Sequence, residues 1–228
     1  MKYYFLKESI DTKVVGKYFQ SEEMIYPGDI YNVDYKDILS TLNTTPIPIL
    51  KDKAIRTSFL SFPYINGLFF LIFNKKILDA LKIINIEKYK LWDLSIHHKK
   101  EILTNYKLFN ILDASDKKLI NFEESKFLKG FLGDWKEPEK RQVIKIKNYE
   151  EYLKYQKVFK NNNSEIRCER LFLDFRNNNF DLIRVENNPV INGYLASEKL
   201  INLFKENNFT GLDYLDCAEY DSRLIVKY

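Results

Sequence analysis

The stretch Leu195-Ala196-Ser197-Glu198-Lys199-Leu200-Ile201-Asn202-Leu203-Phe204 decides which fold this chain is expected to have. A short apolar run, typical of a strand ending at Ala196, passes into apolar residues at helical spacing. Ser197 stands at the change, and its hydroxyl can accept from the unpaired backbone N–H groups of a first helical turn. Glu198 adds a negative charge where a helix dipole favours one. The stretch therefore predicts a strand that leads directly into a helix.

An earlier stretch, Phe73-Asn74-Lys75-Lys76-Ile77, has the same design. Asn74 can cap a helix in the way that Ser197 can. The apolar residues that follow it at helical spacing are Ile77, Leu78, Leu81 and Ile84. An Ile-Asn-Gly triplet also precedes both stretches, beginning at Ile65 and at Ile191. Each stretch therefore predicts a strand followed by a capped helix.

The residues after the two caps also match. Tyr89 and Leu91 follow the first cap by 15 and 17 residues, and Leu212 and Tyr214 follow the second cap by the same distances. Each pair alternates as a strand does. Two related strand–helix–strand units are one interpretation, and a chance match between two ordinary units is the other.

The rest of the chain mixes strands and helices without strict alternation. Further strands are predicted at Tyr106–Leu112, Val143–Ile146, Leu171–Leu173, Phe180–Val185 and Leu224–Val226. Asn121 with Glu124, and Asn148 with Glu151, have capping-box spacing and predict two more helix starts. This mixture predicts an α+β fold with a mixed, largely antiparallel sheet and packed helices.

Residues 1–64 are predicted to form a separate N-terminal region packed on an α+β domain of residues 65–228. Lys2–Leu6 has the composition of an edge strand. Pro46 and Pro48 flank Ile47, and because proline lacks a backbone N–H they argue against a central strand there. We therefore expect one edge strand and irregular structure before residue 65.

Composition indicates an intracellular globular protein. The 228 residues are 45% apolar and 30% charged, with a net charge of +4. The longest apolar run, residues 67–73, is too short to cross a bilayer, and the N-terminus lacks the apolar core of a signal peptide. Residues 61–141 hold 15 basic and 11 acidic groups, but the two signs are interleaved, so a nucleic-acid surface is not favoured. We expect a cytoplasmic protein without membrane segments.

The sequence predicts no catalytic residue, no metal site and no cofactor, because it contains no phosphate-binding glycine loop, nucleophile elbow or metal-ligand motif. Its two histidines, His97 and His98, are adjacent and on a strand would face opposite ways, one half-buried and one solvated. Cys168 and Cys217 are expected to be reduced, half-buried thiols. A single disulfide or a reactive thiol, including a Cys–His nucleophile, is the alternative. The pairs Asp113 with Asp116 and Asp213 with Asp216 have the spacing of turn caps.

One surface site is suggested by Gly133-Asp134-Trp135-Lys136-Glu137-Pro138. A tryptophan among charges and close to a proline is typical of a loop, and tryptophan often anchors protein interfaces. Asp134, Trp135 and Lys136 are therefore the predicted partner-binding residues. The alternative is that Trp135 folds back onto its own core.

Several segments together resemble the immunity proteins of bacterial polymorphic toxin systems, a family formerly described as a domain of unknown function. They are Asn105–Asp113 with Asp116, Leu171–Asp174, Asp181–Arg184, Leu195–Leu200 and Thr210–Leu212. The resemblance covers residues 65–216 and is clearest over 105–216. This chain departs from it in the small Ala196 and in a longer stretch at 126–165. The resemblance implies a cytoplasmic protein that binds and blocks a cognate toxin, and it supplies no catalytic residues.

Three hypotheses follow. The first is a non-enzymatic immunity protein that neutralises its toxin by stoichiometric occlusion. The second is an enzyme with a pocket between the two strand–helix–strand units, near His97, Cys168 or Asp174. The third is a nucleic-acid-binding adaptor that uses the basic surplus of residues 61–141. The sequence predicts no oligomeric state.

Overall fold

The computed structural model describes residues 1–25, 45–62, 70–112, 116–131, 140–161, 164–186 and 188–228. The strands in this part of the chain are β1 (Tyr3–Glu8), β2 (Ser21–Ile25), β3 (Ile47–Leu50), β4 (Phe59–Leu60), β5 (Leu71–Asn74), β6 (Tyr89–His98), β7 (Glu101–Ile111), β8 (Lys126–Phe131), β9 (Gln142–Ile144), β10 (Ser164–Asp174), β11 (Leu182–Val185), β12 (Gly193–Ser197), β13 (Leu212–Asp216) and β14 (Leu224–Lys227). The helices are α1 (Thr12–Val15), α2 (Ile77–Leu81), α3 (Tyr149–Asn161), α4 (Glu198–Glu206) and α5 (Cys217–Tyr220).

The strands form three sheets. The central sheet has the order β11-β12-β1-β13, with every neighbouring pair antiparallel. A second sheet has the order β14-β10-β8-β9, and a third has the order β2-β3-β6-β7-β5-β4. The parallel pairs are β10 with β14 and β3 with β6. The predicted α+β class with mixed, largely antiparallel sheets and packed helices is confirmed.

Both faces of the central sheet are buried. On one face, Tyr3 and Leu195 pack with Leu171 of the second sheet. On the other face, Leu6 and Tyr194 share a core with residues of the third sheet and of the two helices α2 and α4. Apolar side chains on both faces of a strand favour burial on both sides. The central sheet is therefore the layer on which the rest of the protein packs.

The prediction that Lys2–Leu6 is an edge strand is wrong. β1 lies between β12 and β13, with Leu6 opposite both Tyr194 and Tyr214. The expected irregular structure before residue 65 is also interrupted by β3, which lies between β2 and β6. β3 pairs with β6 through Ile49 and Leu50. The part of β3 that has a neighbouring strand on both sides therefore begins after both prolines. The division into residues 1–64 and 65–228 stays a prediction.

The two predicted strand–helix–strand units have the same topology. In the first unit, β5 and β6 flank β7, and β4 pairs with the outer side of β5. In the second unit, β12 and β13 flank β1, and β11 pairs with the outer side of β12. The first unit takes its middle strand from the residues that follow it, and the second takes its middle strand from the start of the chain.

Equivalent hydrogen bonds connect the same positions in both units. The backbone N–H of Asn74 donates to the carbonyl of Ser58 at 2.8 Å, and that of Ser197 donates to the carbonyl of Asp181, also at 2.8 Å. Asn74 and Ser197 are 123 positions apart in the chain, as are Ser58 and Asp181. The units therefore share register and hydrogen bonding as well as strand order.

The tyrosines of the middle strands extend this equivalence to side chains. Tyr106 in β7 is paired with Asn74, and Tyr3 in β1 is paired with Ser197. The Tyr106 hydroxyl donates to the carbonyl of Thr57 at 2.8 Å. The Tyr3 hydroxyl donates to the carbonyl of Phe180, 123 positions later in the chain, at 2.7 Å. The correspondence between the two units, which the spacing after Asn74 and Ser197 suggested, therefore extends to these side-chain hydrogen bonds.

One predicted helix is a strand. Asn121 makes the local bonds of a cap, because its Oδ1 accepts from the backbone N–H groups of Glu123 and Glu124. The chain then enters β8, where Phe127 is buried against Tyr152 of α3. Pairing of β8 with both β10 and β9 outweighs the helix signal. The other box is confirmed, since Asn148 accepts from the N–H of Glu151 at the start of α3.

Candidate functional site

The predicted partner-binding residues Asp134, Trp135 and Lys136 lie outside the described residues. The chain on either side of them is described: β8 ends at Phe131, and β9 begins at Gln142. Phe131 is 58% exposed and Val143 is 62% exposed. Exposed apolar side chains therefore stand on both strands that the 132–141 segment connects, and the assignment of Trp135 stays a prediction.

Both cysteines are free and fully buried, where the sequence predicted half-buried thiols. Burial raises the pKa of Cys168 to about 12 and the pKa of Cys217 to about 12. A thiol needs its thiolate form to act as a nucleophile. These surroundings favour inert packing groups and disfavour the Cys–His alternative.

The histidines end β6. His98 is buried and His97 is half-buried, so the prediction of one solvated histidine is wrong. The Nδ1 atom of His98 accepts from the Nε of Arg56 at 2.9 Å, and Arg56 also pairs with Glu101 at 2.6 Å. Since Nδ1 accepts, the imidazole proton of a neutral His98 is on Nε2. His98 is therefore held in place by Arg56, which also pairs with Glu101.

Asp216 has a structural role, as the turn-cap interpretation predicts. Its carboxylate accepts from the N–H of Ala218 at the start of α5 and pairs with Lys2 at 2.5 Å. The hydroxyl of Tyr228 donates to it at 2.9 Å. Burial alone would raise the pKa of Asp216, but these hydrogen bonds outweigh it and hold the pKa below its ordinary value. Of the other predicted pair, Asp113 lies outside the described residues.

A buried carboxylate, Asp181, connects segments of the predicted family resemblance. It accepts from the hydroxyl of Ser197 at 2.7 Å, from the Nζ of Lys199 at 3.1 Å and from the backbone N–H of Asn85 at 2.9 Å. Burial alone would raise the pKa of Asp181, but these three donors outweigh it and lower the pKa. Ser197 also caps α4 by accepting from the N–H of Leu200. The contact ties β11, α4 and the segment before β6 together.

A buried arginine makes a second such contact. Arg184 in β11 is 1% exposed, and its guanidinium donates to the side-chain oxygen of Asn110 at 2.8 Å. The hydroxyl of Tyr194 donates to the same oxygen at 3.1 Å. Arg184 also pairs with Glu186 at 2.9 Å. A buried charge requires such partners, so this network fixes the central sheet against β7 of the third sheet.

Two cavities lie where the two units meet. One, of about 480 Å³, lies between α4 and the chain after α2, and its apolar members Met1 and Ile83 are 49% and 64% exposed. The other, of about 220 Å³, lies between β1 and β5. His97, Cys168 and Asp174 line neither of these two cavities. The pocket that the enzyme hypothesis placed near those residues therefore does not correspond to either one.

The smaller cavity contains a carboxyl group that the sequence analysis did not single out. Glu8, at the end of β1, is partly buried, and its Oε1 accepts from the backbone N–H of Phe62 at 3.3 Å. Burial raises its pKa to about 7, against a weaker opposing effect of the Phe62 N–H. The pattern Tyr4-x-Leu6-x-Glu8 could have revealed it, because period-two alternation places Glu8 on the face of Leu6.

Within the described ranges, no cluster of three or more His, Cys, Asp or Glu side chains could hold a metal ion. Over the same residues, no helix combines the length and apolar character needed to cross a membrane. Comparison of the chain with models of known protein families and with curated proteins finds no match.

Proposed function

We propose that this protein is a cytoplasmic immunity protein that binds a cognate bacterial toxin and neutralises it by stoichiometric occlusion. The observation that carries the proposal is that the resembling segments bond to one another. Arg184 of the Asp181–Arg184 segment donates to Asn110 of the Asn105–Asp113 segment. Ser197 and Lys199 of the Leu195–Leu200 segment donate to Asp181. Residues scattered along the sequence thus form two hydrogen-bonded networks, one at Asp181 and one at Arg184.

Such networks suit an inhibitor that works by occlusion. Occlusion needs a rigid scaffold and one surface of roughly 800 Å² per partner, without any reacting group. Hydrogen bonds between buried polar groups, such as that of Arg184 to Asn110, favour the packing arrangement in which they form. A binder that is already ordered loses less conformational entropy when it meets its partner. In this proposal the residues of the resembling segments stabilise the scaffold, and the surface residues can differ according to the toxin.

The surface proposed for the toxin lies around the connection between β8 and β9. It combines Asp134, Trp135 and Lys136 with the exposed side chain of Phe131. Val143 is paired with Leu128, so its side chain faces the other side of the sheet and is not part of this surface. A central aromatic anchor with apolar neighbours is the usual composition of an interface hot spot. Trp135→Ala is expected to weaken binding most, and Phe131→Ala is expected to weaken it less.

Co-expression tests the proposal. Cells that produce the toxin encoded beside this protein should survive when this protein is also produced. Ile102→Ala serves as the control for Phe131→Ala, because Ile102 is 63% exposed on the third sheet, whereas Phe131 belongs to the second sheet. It should protect as the wild type does. Equal killing with and without the wild-type protein would contradict the proposal.

A further inference from the structure

The cavity between β1 and β5 has walls of mixed character. Leu6 and Leu212 come from the second unit, Leu71 comes from the first, and the rings of Tyr18 and Phe70 also line it. Its volume of about 220 Å³ is below the roughly 300–1,000 Å³ of sites for drug-sized ligands. The cavity therefore has room for a group of the size of one side chain.

Glu8 is the acidic group of this cavity. Its one hydrogen bond among the described residues is the 3.3 Å contact from the Phe62 N–H, and no lysine or arginine of the described ranges pairs with it. Lys7, Tyr18 and Tyr194 are the other titratable groups that line the cavity. The pKa of Tyr18 is raised by burial and then by the charge of Glu8, and both side chains line the cavity. A partly buried carboxylate without a cation is costly to keep ionised.

The first unit has an apolar residue, Ile111, at the position that is equivalent to Glu8. Glu8 is paired with Leu212 at the start of β13, and Ile111 is paired with Tyr89 at the start of β6. Leu212 and Tyr89 are equivalent residues, 123 positions apart. Ile111 is fully buried. An isoleucine thus fills the position in one unit, whereas the other unit has a carboxylate beside a cavity.

We propose that this cavity binds a single alkylammonium or alkylguanidinium group. The aliphatic stem packs on Leu6, Leu71 and Leu212, and the cationic head donates to Glu8. Hydrogen bonds between ionised partners are stronger than neutral ones, and the aromatic rings of Tyr18 and Phe70 add a surface that attracts cations. The group is either the side chain of a lysine or arginine of a protein partner or a free small amine. The site does not depend on the proposed toxin.

Butylguanidinium is a suitable probe, with butylurea as its uncharged control. The full chain is titrated with each, and carbon-13 NMR follows the Glu8 carboxyl signal, which is identified by its loss in Glu8→Gln. We expect a saturable shift of this signal with butylguanidinium and none with butylurea. Because binding requires the ionised carboxylate, the apparent affinity should be about tenfold higher at pH 8 than at pH 6.

Two variants test whether the response to butylguanidinium depends on Glu8 itself or on the charge of the protein in general. Glu8→Ile copies the first unit and should fold but lose the saturable response of the other cavity signals. Glu23→Gln removes an exposed carboxylate from β2 and should leave the response intact. The absence of saturation at 100 mM butylguanidinium, or an equal response in Glu8→Ile, would overturn the proposal.

The affinity distinguishes the two sources of the cation. A micromolar dissociation constant for butylguanidinium supports a free small amine as the ligand. A millimolar constant supports a side chain of a protein partner, because one fragment retains a small part of the affinity of a whole interface. Either result supports the cation site, whatever co-expression shows about the toxin.

Discussion

Glu8 in β1 occupies the position that Ile111 occupies in β7. Each is paired with the first residue of a neighbouring strand, Leu212 for Glu8 and Tyr89 for Ile111, and these two partners are themselves equivalent in the two units. The two units therefore differ in chemistry at a position where they agree in geometry. The difference has a consequence for stability, because a partly buried carboxyl group is more stable in its neutral form.

Stability should fall as the pH rises through the pKa of Glu8. In the folded protein this pKa is raised to about 7, whereas the ordinary value is 4.5. Between these values the unfolded chain has released the proton and the folded chain keeps it, so the contribution of the neutral carboxyl is present at low pH and is lost above pH 7. From pH 5 to pH 8 the wild type should lose about 2 to 3 kcal/mol more free energy of unfolding than Glu8→Gln.

Urea unfolding at the two pH values measures this difference. Glu23→Gln, which changes an exposed carboxylate, should behave as the wild type does. An identical pH dependence in Glu8→Gln and the wild type would show that burial does not shift the titration of Glu8.

The equivalent tyrosines give a prediction about the two units. Tyr106→Phe removes one buried hydroxyl donor and should lower the free energy of unfolding by about 1 kcal/mol. Tyr3→Phe should cost more, because the Tyr3 hydroxyl donates to Phe180 and also accepts from the side-chain amide of Asn178. Denaturant titration measures both. Tyr89→Phe, at a residue 39% exposed, is the control and should change stability by less than about 0.5 kcal/mol.

The prediction that Asn74 caps α2 is wrong, because the N-cap is Lys76, which makes no side-chain cap bond, and Asn74 is the last residue of β5. Replacing Ser197 and replacing Asn74 should therefore have different costs. Ser197→Ala removes the cap of α4 and one donor to the buried Asp181, so we expect a loss of about 2 kcal/mol. Asn74→Ala removes an exposed bond to the N–H of Lys76 and should cost about 0.5 to 1 kcal/mol. Thermal or urea unfolding compares them. A larger loss for Asn74→Ala than for Ser197→Ala would contradict the assignment of Ser197 as a helix cap that also binds Asp181.

The cysteines should be unreactive in the folded protein. Burial holds the pKa of both thiols at about 12, so almost no thiolate is present at pH 8, and neither sulfur is exposed. Reaction with a disulfide reagent should be slow in native buffer and should reach two thiols per chain in denaturant. Rapid native labelling of Cys168 or Cys217 would show that its surroundings open readily.

Local signals in the sequence predicted the parts of the fold that short-range physics determines. The cap at Ser197 and the box at Asn148 are found where predicted. The distances from Asn74 and from Ser197 to the next strand also hold, since β6 begins at Tyr89 and β13 at Leu212. The first Ile-Asn-Gly triplet, at residues 65–67, lies outside the described residues, so its correspondence with the second triplet stays a prediction.

Long-range pairing accounts for what the sequence analysis missed. The composition of β1 does not reveal that the start of the chain enters between two strands near its end. The Asn121 cap bonds form, but the pairing of β8 with β10 decides the structure that follows. Glu8 was missed because its environment depends on Leu71 and Leu212, which are distant in the chain.

Titration of toxin activity with the purified protein tests the proposed function most directly. The toxin encoded beside this protein is held at a fixed concentration, and its activity is measured as this protein is added. Occlusion predicts a linear fall to zero at one molecule of this protein per toxin, and the same end point after long incubation. Full activity in the presence of excess protein would contradict neutralisation. Complete inactivation by far less than one equivalent would contradict stoichiometric occlusion and would support an enzyme instead.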